Sequence, residues 1–184
     1  MASEVKGVWF ISARRFLEEN GRGAVVDRVS ARLPAQFRDA FMEPSASEWY
    51  PEEALAVTLR LLREEGGAAR DDDFIALIEG ITLVGINRFF RLLLSVASAD
   101  FVLRKIPVMW DHIRRGDGRV VVETSTAGAT IRYSMFPWFH DPVYQLMTLG
   151  SIRALLRVVG VHSEVRCGAL TRTSMEVIVV YSKR

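Results

Sequence analysis

One cysteine, Cys167, stands among 184 residues, so no intrachain disulfide can form and the fold must be held by its own core. That scarcity fits a reducing compartment, and the cytoplasm is the expected location. Charge of one sign is lacking as well: 24 Lys and Arg against 22 Asp and Glu leave a formal +2, no footprint for nucleic acid. Histidine is sparse. His112, His140 and His162 lie too far apart for a local ligand pair, and no metal site is expected. Uninterrupted apolar runs are missing too. The most apolar window, 74–96, carries Glu79, Arg88 and Arg91, charges that are costly in a bilayer, so it reads as a buried helix and no spanning segment is expected. The opening residues lack a basic start and a small-residue cleavage site, which argues against a secretory leader. There is no G-x-G-x-x-G, no Walker lysine and no G-x-S-x-G elbow. Cys167, on an alternating strand, reads as a small core residue rather than a nucleophile. An enzyme is not expected, nor is a cofactor.

What is present is 49% hydrophobic residues, enough for one domain spanning 1–184. The fold class expected is α+β: a mainly helical part, 1–116, packed on a four-stranded antiparallel sheet of ββαββ order, 117–184. Lys6 to Ile11 is an edge strand or a lead-in that packs Trp9 and Phe10. Ser12 is a cap candidate for the first helix. Tyr50 and Pro51 open a helix whose first turn carries Glu52 and Glu53, suited to the positive helix end, with Leu55, Leu59 and Leu62 as its stripe. Asp71, Asp72 and Asp73 begin the central helix rather than a calcium loop, because no spaced glycine and terminal glutamate follow. That helix is apolar on more than one face through Phe74, Leu77, Ile78, Ile81, Val84, Phe89, Leu92, Leu93 and Val96. Gly80 and Gly85 within it each cost about 1 kcal/mol of propensity, so either a helix or a ligand approaches closely there. Ser98 caps a further helix that kinks at Pro107.

The C-terminal part is the more legible. Two strand-like runs, GRVVVETS and ATIRYSM, flank Thr126, Ala127 and Gly128 and read as a hairpin. Asp141 before Pro142 starts a helix that ends at Gly160. VHSEVRCGAL and SMEVIVVYS close the chain as strands. Apolar residues of both parities through Ile178, Val179 and Val180 suggest a central strand buried on two sides.

From Trp110 to Tyr181 this order resembles the fold shared by TRAPP vesicle-tethering subunits, bacterial 4-vinyl-reductase domains and haem-nitric-oxide-binding (H-NOX-like) domains. VKGVWF, LPAQFR and SEWYP also resemble a family of single-domain proteins found chiefly in myxobacteria. The resemblance implies a ligand-binding or protein-binding module. The paired cysteines of the 4-vinyl-reductase domains are not matched, since Cys167 stands alone. His112 sits where haem-binding relatives place a histidine, but their Tyr-x-Ser-x-Arg run is replaced by Tyr133, Ser134, Met135, Phe136 and Pro137.

The expected function is therefore a non-catalytic sensory or regulatory module that binds an apolar small molecule or lipid in an aromatic-lined pocket. Its candidate ligand-binding residues are Trp110, Arg132, Tyr133, Phe136, Trp138, Phe139 and Tyr144. In that scheme Arg132 pairs with an acidic head group. The alternative is a protein scaffold or homodimer whose face is the first helices or the central helix at Gly80 and Gly85. A haem-based gas sensor is the third reading, ranked lowest because His112 lies at a helix end flanked by Asp111, Arg114 and Arg115.

Overall fold

The computed structural model describes residues 3–86 and 97–181. Its elements are β1 (Glu4–Lys6), α1 (Val8–Glu19), α2 (Gly23–Arg32), α3 (Ala35–Met42), β2 (Trp49–Pro51), α4 (Glu52–Glu65) and α5 (Asp71–Gly85). After residues 87–96 come α6 (Ala99–Arg104), α7 (Ile106–Ile113), β3 (Arg114–Arg115), β4 (Arg119–Ser125) and β5 (Gly128–Ser134). A 3-10 turn (Pro137–His140), α8 (Pro142–Val158), β6 (Ser163–Leu170) and β7 (Met175–Tyr181) complete the chain. The expected α+β class holds: β4-β5-β7-β6 form a four-stranded antiparallel sheet, with α8 between its two hairpins in sequence. Among the described residues no helix is long and apolar enough to cross a membrane.

Local chemistry explains the best-read boundaries. Asp141 Oδ1 accepts a hydrogen bond from Val143 N at 3.1 Å, and Pro142 occupies the first helical position, where an amide hydrogen has no use. Gly160, just past the cap, takes φ 69°, a conformation that favours glycine. Ser98 Oγ accepts from Phe101 N at 3.1 Å and starts α6. Pro107 marks not a kink but the first turn of a new helix, since α6 ends at Arg104 and α7 begins at Ile106.

Other boundaries differ from expectation. The strand is Glu4–Lys6 rather than part of Lys6 to Ile11, and α1 starts at Val8. Ser12 lies inside α1 and donates from Oγ to the Val8 carbonyl at 2.7 Å instead of capping. A second, three-stranded sheet, β2-β1-β3, was not anticipated; its strands are two or three residues long, too short for alternation to register. β7 is central in its sheet, yet Val180 is exposed, so burial is one-sided. Of the central-helix stripe, Phe89, Leu92, Leu93 and Val96 lie outside the described residues.

The central helix α5 is covered on more than one face, as expected, and so is α8. Val143, Met147, Leu149, Ile152, Ala154, Leu155 and Leu156 are all buried along it. It packs on α5 so closely that a Cβ on Gly150 would stand 2.8 Å from the Ile75 carbonyl oxygen and 2.8 Å from Ile78 Cβ. The other face of α5 meets α1, where a Cβ on Gly80 would lie 2.3 Å from the Phe16 ring and one on Gly85 2.8 Å from Ser12 Oγ. Close helix approach, not ligand access, thus accounts for both glycines. α1 also covers the Gly80 and Gly85 face, one of the two that a second copy was expected to use.

These spacings separate two glycine substitutions. Gly150→Ala should lower stability by about 1–3 kcal/mol, because overpacking against backbone outweighs the propensity gain. Gly23→Ala, at a helical position with nothing within 4 Å of the new methyl, should be neutral or raise stability by up to about 1 kcal/mol. Thermal or urea unfolding of both variants checks the difference in sign.

Candidate functional site

α7 turns two different chemistries to two sides. Ile106 and Trp110, four residues apart, are buried, whereas His112 lies two residues beyond Trp110, about 200° further round the helix, and is exposed. Trp110 is the start of a packed ring cluster at the junction of the helical part and the sheet. Its ring centroid lies 5.4 Å from Tyr133 and 5.0 Å from Phe136. Phe139 sits 5.6 Å from Tyr133 and 5.1 Å from Phe136, and Tyr144 sits 5.7 Å from Phe136. Trp138, half-buried, stacks on Tyr144 at 5.7 Å. Six of the seven expected ligand-binding residues are therefore brought together, but they fill their own space. Edge-to-face pairs of this kind contribute about 0.5–1.5 kcal/mol each beyond area burial. The cleft that Trp110 and Phe136 border with Arg114 and Gly118 holds only about 20 Å³. The interior of the cluster is filled, while Phe136 and Trp138 also border a wider groove of about 430 Å³ with Pro51, Glu52 and His140.

Arg132, the seventh, is elsewhere. It projects from the outer face of β5, half exposed, and donates to Glu123 at 2.7 Å and to Glu176 at 3.2 Å on the neighbouring strands. Alternation dictates this: Ile131 and Tyr133 point to the helices, so Arg132 points away. Met135 also leaves the alternation, with φ 58° and an exposed side chain, which turns the chain from β5 into the 3-10 turn.

The residues that sequence reasoning missed are charged. Glu52, in the first turn of α4, is fully buried, and Arg114 nearly so. Arg114 Nε donates to Glu52 Oε1 at 3.3 Å, and the Tyr144 hydroxyl reaches the same oxygen at 3.0 Å and the Glu52 carbonyl at 2.9 Å. The guanidinium lies over Trp110, 4.6 Å from the ring centroid, and 5.6 Å from that of Phe136. Its Nη2 points to Met147 Sδ at 3.9 Å. Glu52 Oε2 is buried with no hydrogen-bond partner among the described residues. Burial pushes the Glu52 carboxyl above the usual carboxylate range, opposed by Arg114 and by the Tyr144 hydroxyl. Burial likewise raises the Tyr133 and Tyr144 phenols, so both stay neutral and Tyr144 keeps the proton it donates to Glu52. The signal was present in the register: Glu52 falls three residues before Leu55 and seven before Leu59, on the buried stripe.

His140 and His162 are exposed, like His112. His140 Nδ1 meets the Pro137 carbonyl within the 3-10 turn, as its place beside the α8 start suggests. Cys167 is half-buried on β6, where burial raises its thiol above the ordinary range and so disfavours a reactive thiolate.

No family model matches the chain, and no curated protein does. Solved structures do. An Fe(II) unliganded H-NOX protein from K. algicida is similar over 97% of this chain and 97% of its own, with a TM-score of 0.71 and 14% identity. An H-NOX protein from S. oneidensis in the Fe(II)NO state is similar over 97% and 99%, at TM-score 0.70 and 10% identity. An oxygen-binding H-NOX domain related to soluble guanylate cyclases, in its oxygen complex, is similar over 96% and 93%, at TM-score 0.62 and 12% identity. These neighbours, all H-NOX proteins, overturn the expectation of an apolar small-molecule or lipid-binding module and its scaffold alternative. At such identities the likeness is one of architecture, and in architecture this chain is similar, almost end to end, to the H-NOX domains.

Proposed function

We propose that the chain is a non-catalytic sensory domain on the H-NOX framework, in which the contact between the helical part and the sheet carries the signal. The observation that supports it most is the match over 97% of both chains to an H-NOX protein of K. algicida, since the similarity spans nearly the whole framework. The neighbours are described as Fe(II), Fe(II)NO and oxygen-bound proteins, which draws the reading toward gas sensing. A cytoplasmic location, self-association as a homodimer, and kinship with the myxobacterial family, the 4-vinyl-reductase domains and the TRAPP subunits belong to the same proposal and rest on sequence alone.

Haem is the group this framework implies, and the described residues do not fit it. Haem needs an axial donor facing an apolar cavity and partners for two propionates. All three imidazoles are exposed, the Tyr-x-Ser-x-Arg run is absent, and the junction is filled by six rings and an internal ion pair. The sensory role therefore falls on the junction itself.

Two measurements follow. A sensory junction must open without global unfolding. In native-state hydrogen exchange, amides of the short β2-β1-β3 sheet should exchange at least about tenfold faster than those of Ile131 and Val177, a gap of about 1.4 kcal/mol. If both sets exchange only with global unfolding, the parts are locked together and the sensory reading fails. Second, in protein produced with haem supplied, His112→Ala should leave the visible absorbance unchanged, with or without nitric oxide. A Soret band abolished by that substitution would return His112 to the role of axial ligand.

A further inference from the structure

We propose that Glu52 is a proton-controlled latch between the helical part and the sheet, its protonation state deciding whether Arg114 is pinned at the junction. The proposal deepens the sensory reading by naming a stimulus, and it rests on that reading for its biological use.

Glu52 ties three elements that are distant in sequence. Its backbone N–H donates to the Ser3 carbonyl at 3.0 Å, before β1; its Oε1 takes Arg114, at the α7–β3 boundary, and Tyr144, on α8. Among the described residues the carboxylate is satisfied on one side only, because Oε2 is buried and finds no partner there. An ionised oxygen held in that way is costly, whereas adding a proton to it removes the charge and weakens the charge-assisted bond from Arg114 to Oε1. The consequence falls on Arg114. Its guanidinium keeps Trp110 and Phe136 as ring neighbours but loses its buried counter-charge, and an unpaired buried cation is driven toward water.

The charged surroundings of Glu52 come from every side. Arg114 faces it from β3 and Tyr144 from α8. Glu53, Asp117 and His140 line the groove it borders, and Asp111 and Arg115 line the adjoining cleft with Arg114. Asp141, at the head of α8, is engaged by Arg60. An arginine stays charged throughout, and Tyr144, with its phenol raised by burial, stays neutral. Glu52 is thus the group within the cluster that changes charge. Since burial raises its carboxyl, the fold binds this proton more tightly than the unfolded chain does. The stability so contributed is complete below the unfolded carboxylate value and is lost as pH rises through the folded value.

The test is a pH titration of tryptophan emission and of Tm on the full chain, between about pH 4.5 and 9. Wild type should show a transition in both, Tm falling as pH rises through it. Glu52→Gln should lose the transition and hold the low-pH emission at every pH, while His140→Gln, a change in the same groove outside the ion pair, should retain it. Trp110→Phe should remove the emission change and keep the Tm change. A transition that persists in Glu52→Gln, or that disappears in His140→Gln, would overturn the proposal, as would a folded wild type with no transition. If Glu52→Gln does not fold, carboxyl-carbon NMR of the glutamate-labelled wild type decides. One glutamate titrating well above the others supports the latch, and none doing so rejects it. Either result stands apart from the hydrogen-exchange test, because Glu52 can titrate whether or not the two parts separate.

Discussion

The rest of the molecule depends on how closely α8 lies against α5. A glycine at position 150 permits it: backbone carbonyl and β-branched side chain of α5 sit where a methyl would otherwise be. That approach sets the depth of α8 below the sheet, and so the height at which Tyr144 and Met147 present their polar atoms. The near end of the helix is fixed as well, since Asp141 caps it with one oxygen and takes Arg60 of α4 with the other. Held at its start and its middle, α8 has little freedom to move alone, and displacement of the helical part must be taken up at the ring cluster and the short sheet.

A buried ion pair at that place is not there for stability alone. Desolvating Glu52 and Arg114 costs several kcal/mol per ion, and the attraction between them recovers it only when every remaining polar atom is satisfied. One carboxylate oxygen is not. A well-packed apolar pair would serve a merely structural purpose at least as well, which leaves specificity or switching as the reason for the charges. The likeness to H-NOX domains sharpens this point. The framework extends over nearly the whole chain at 10–14% identity, while the interior chemistry is this chain's own. Architecture is carried by periodicity and glycine placement, both of which survive extensive substitution; a site is carried by particular atoms, which do not.

The same distinction explains what could be read from the residues. The hairpin, the Asp141-Pro142 start, the Gly160 stop and the ββαββ order were legible because each rests on local chemistry within four or five residues. The ring cluster was legible as a group because aromatic residues bracket one loop, although its close packing was not, since packing depends on the distance between elements. The β2-β1-β3 sheet was hidden by the brevity of its strands. Glu52 was read by its place at a helix N-terminus, where an acid is ordinary, when its position on the Leu55 and Leu59 stripe was the informative property. His112 was placed by analogy with relatives; the helical angle to Trp110, readable from the sequence, already set it on the opposite side.

Arg132 was expected at a ligand and instead bridges Glu123 and Glu176 across three strands. A one-residue slip of β5 would carry the guanidinium into the apolar layer under α8 and put Ile131 and Tyr133 in water. The outer charge triplet therefore acts as a registration mark against a one-residue slip, which would bury the guanidinium, and the register it keeps brings Tyr133 beside Trp110.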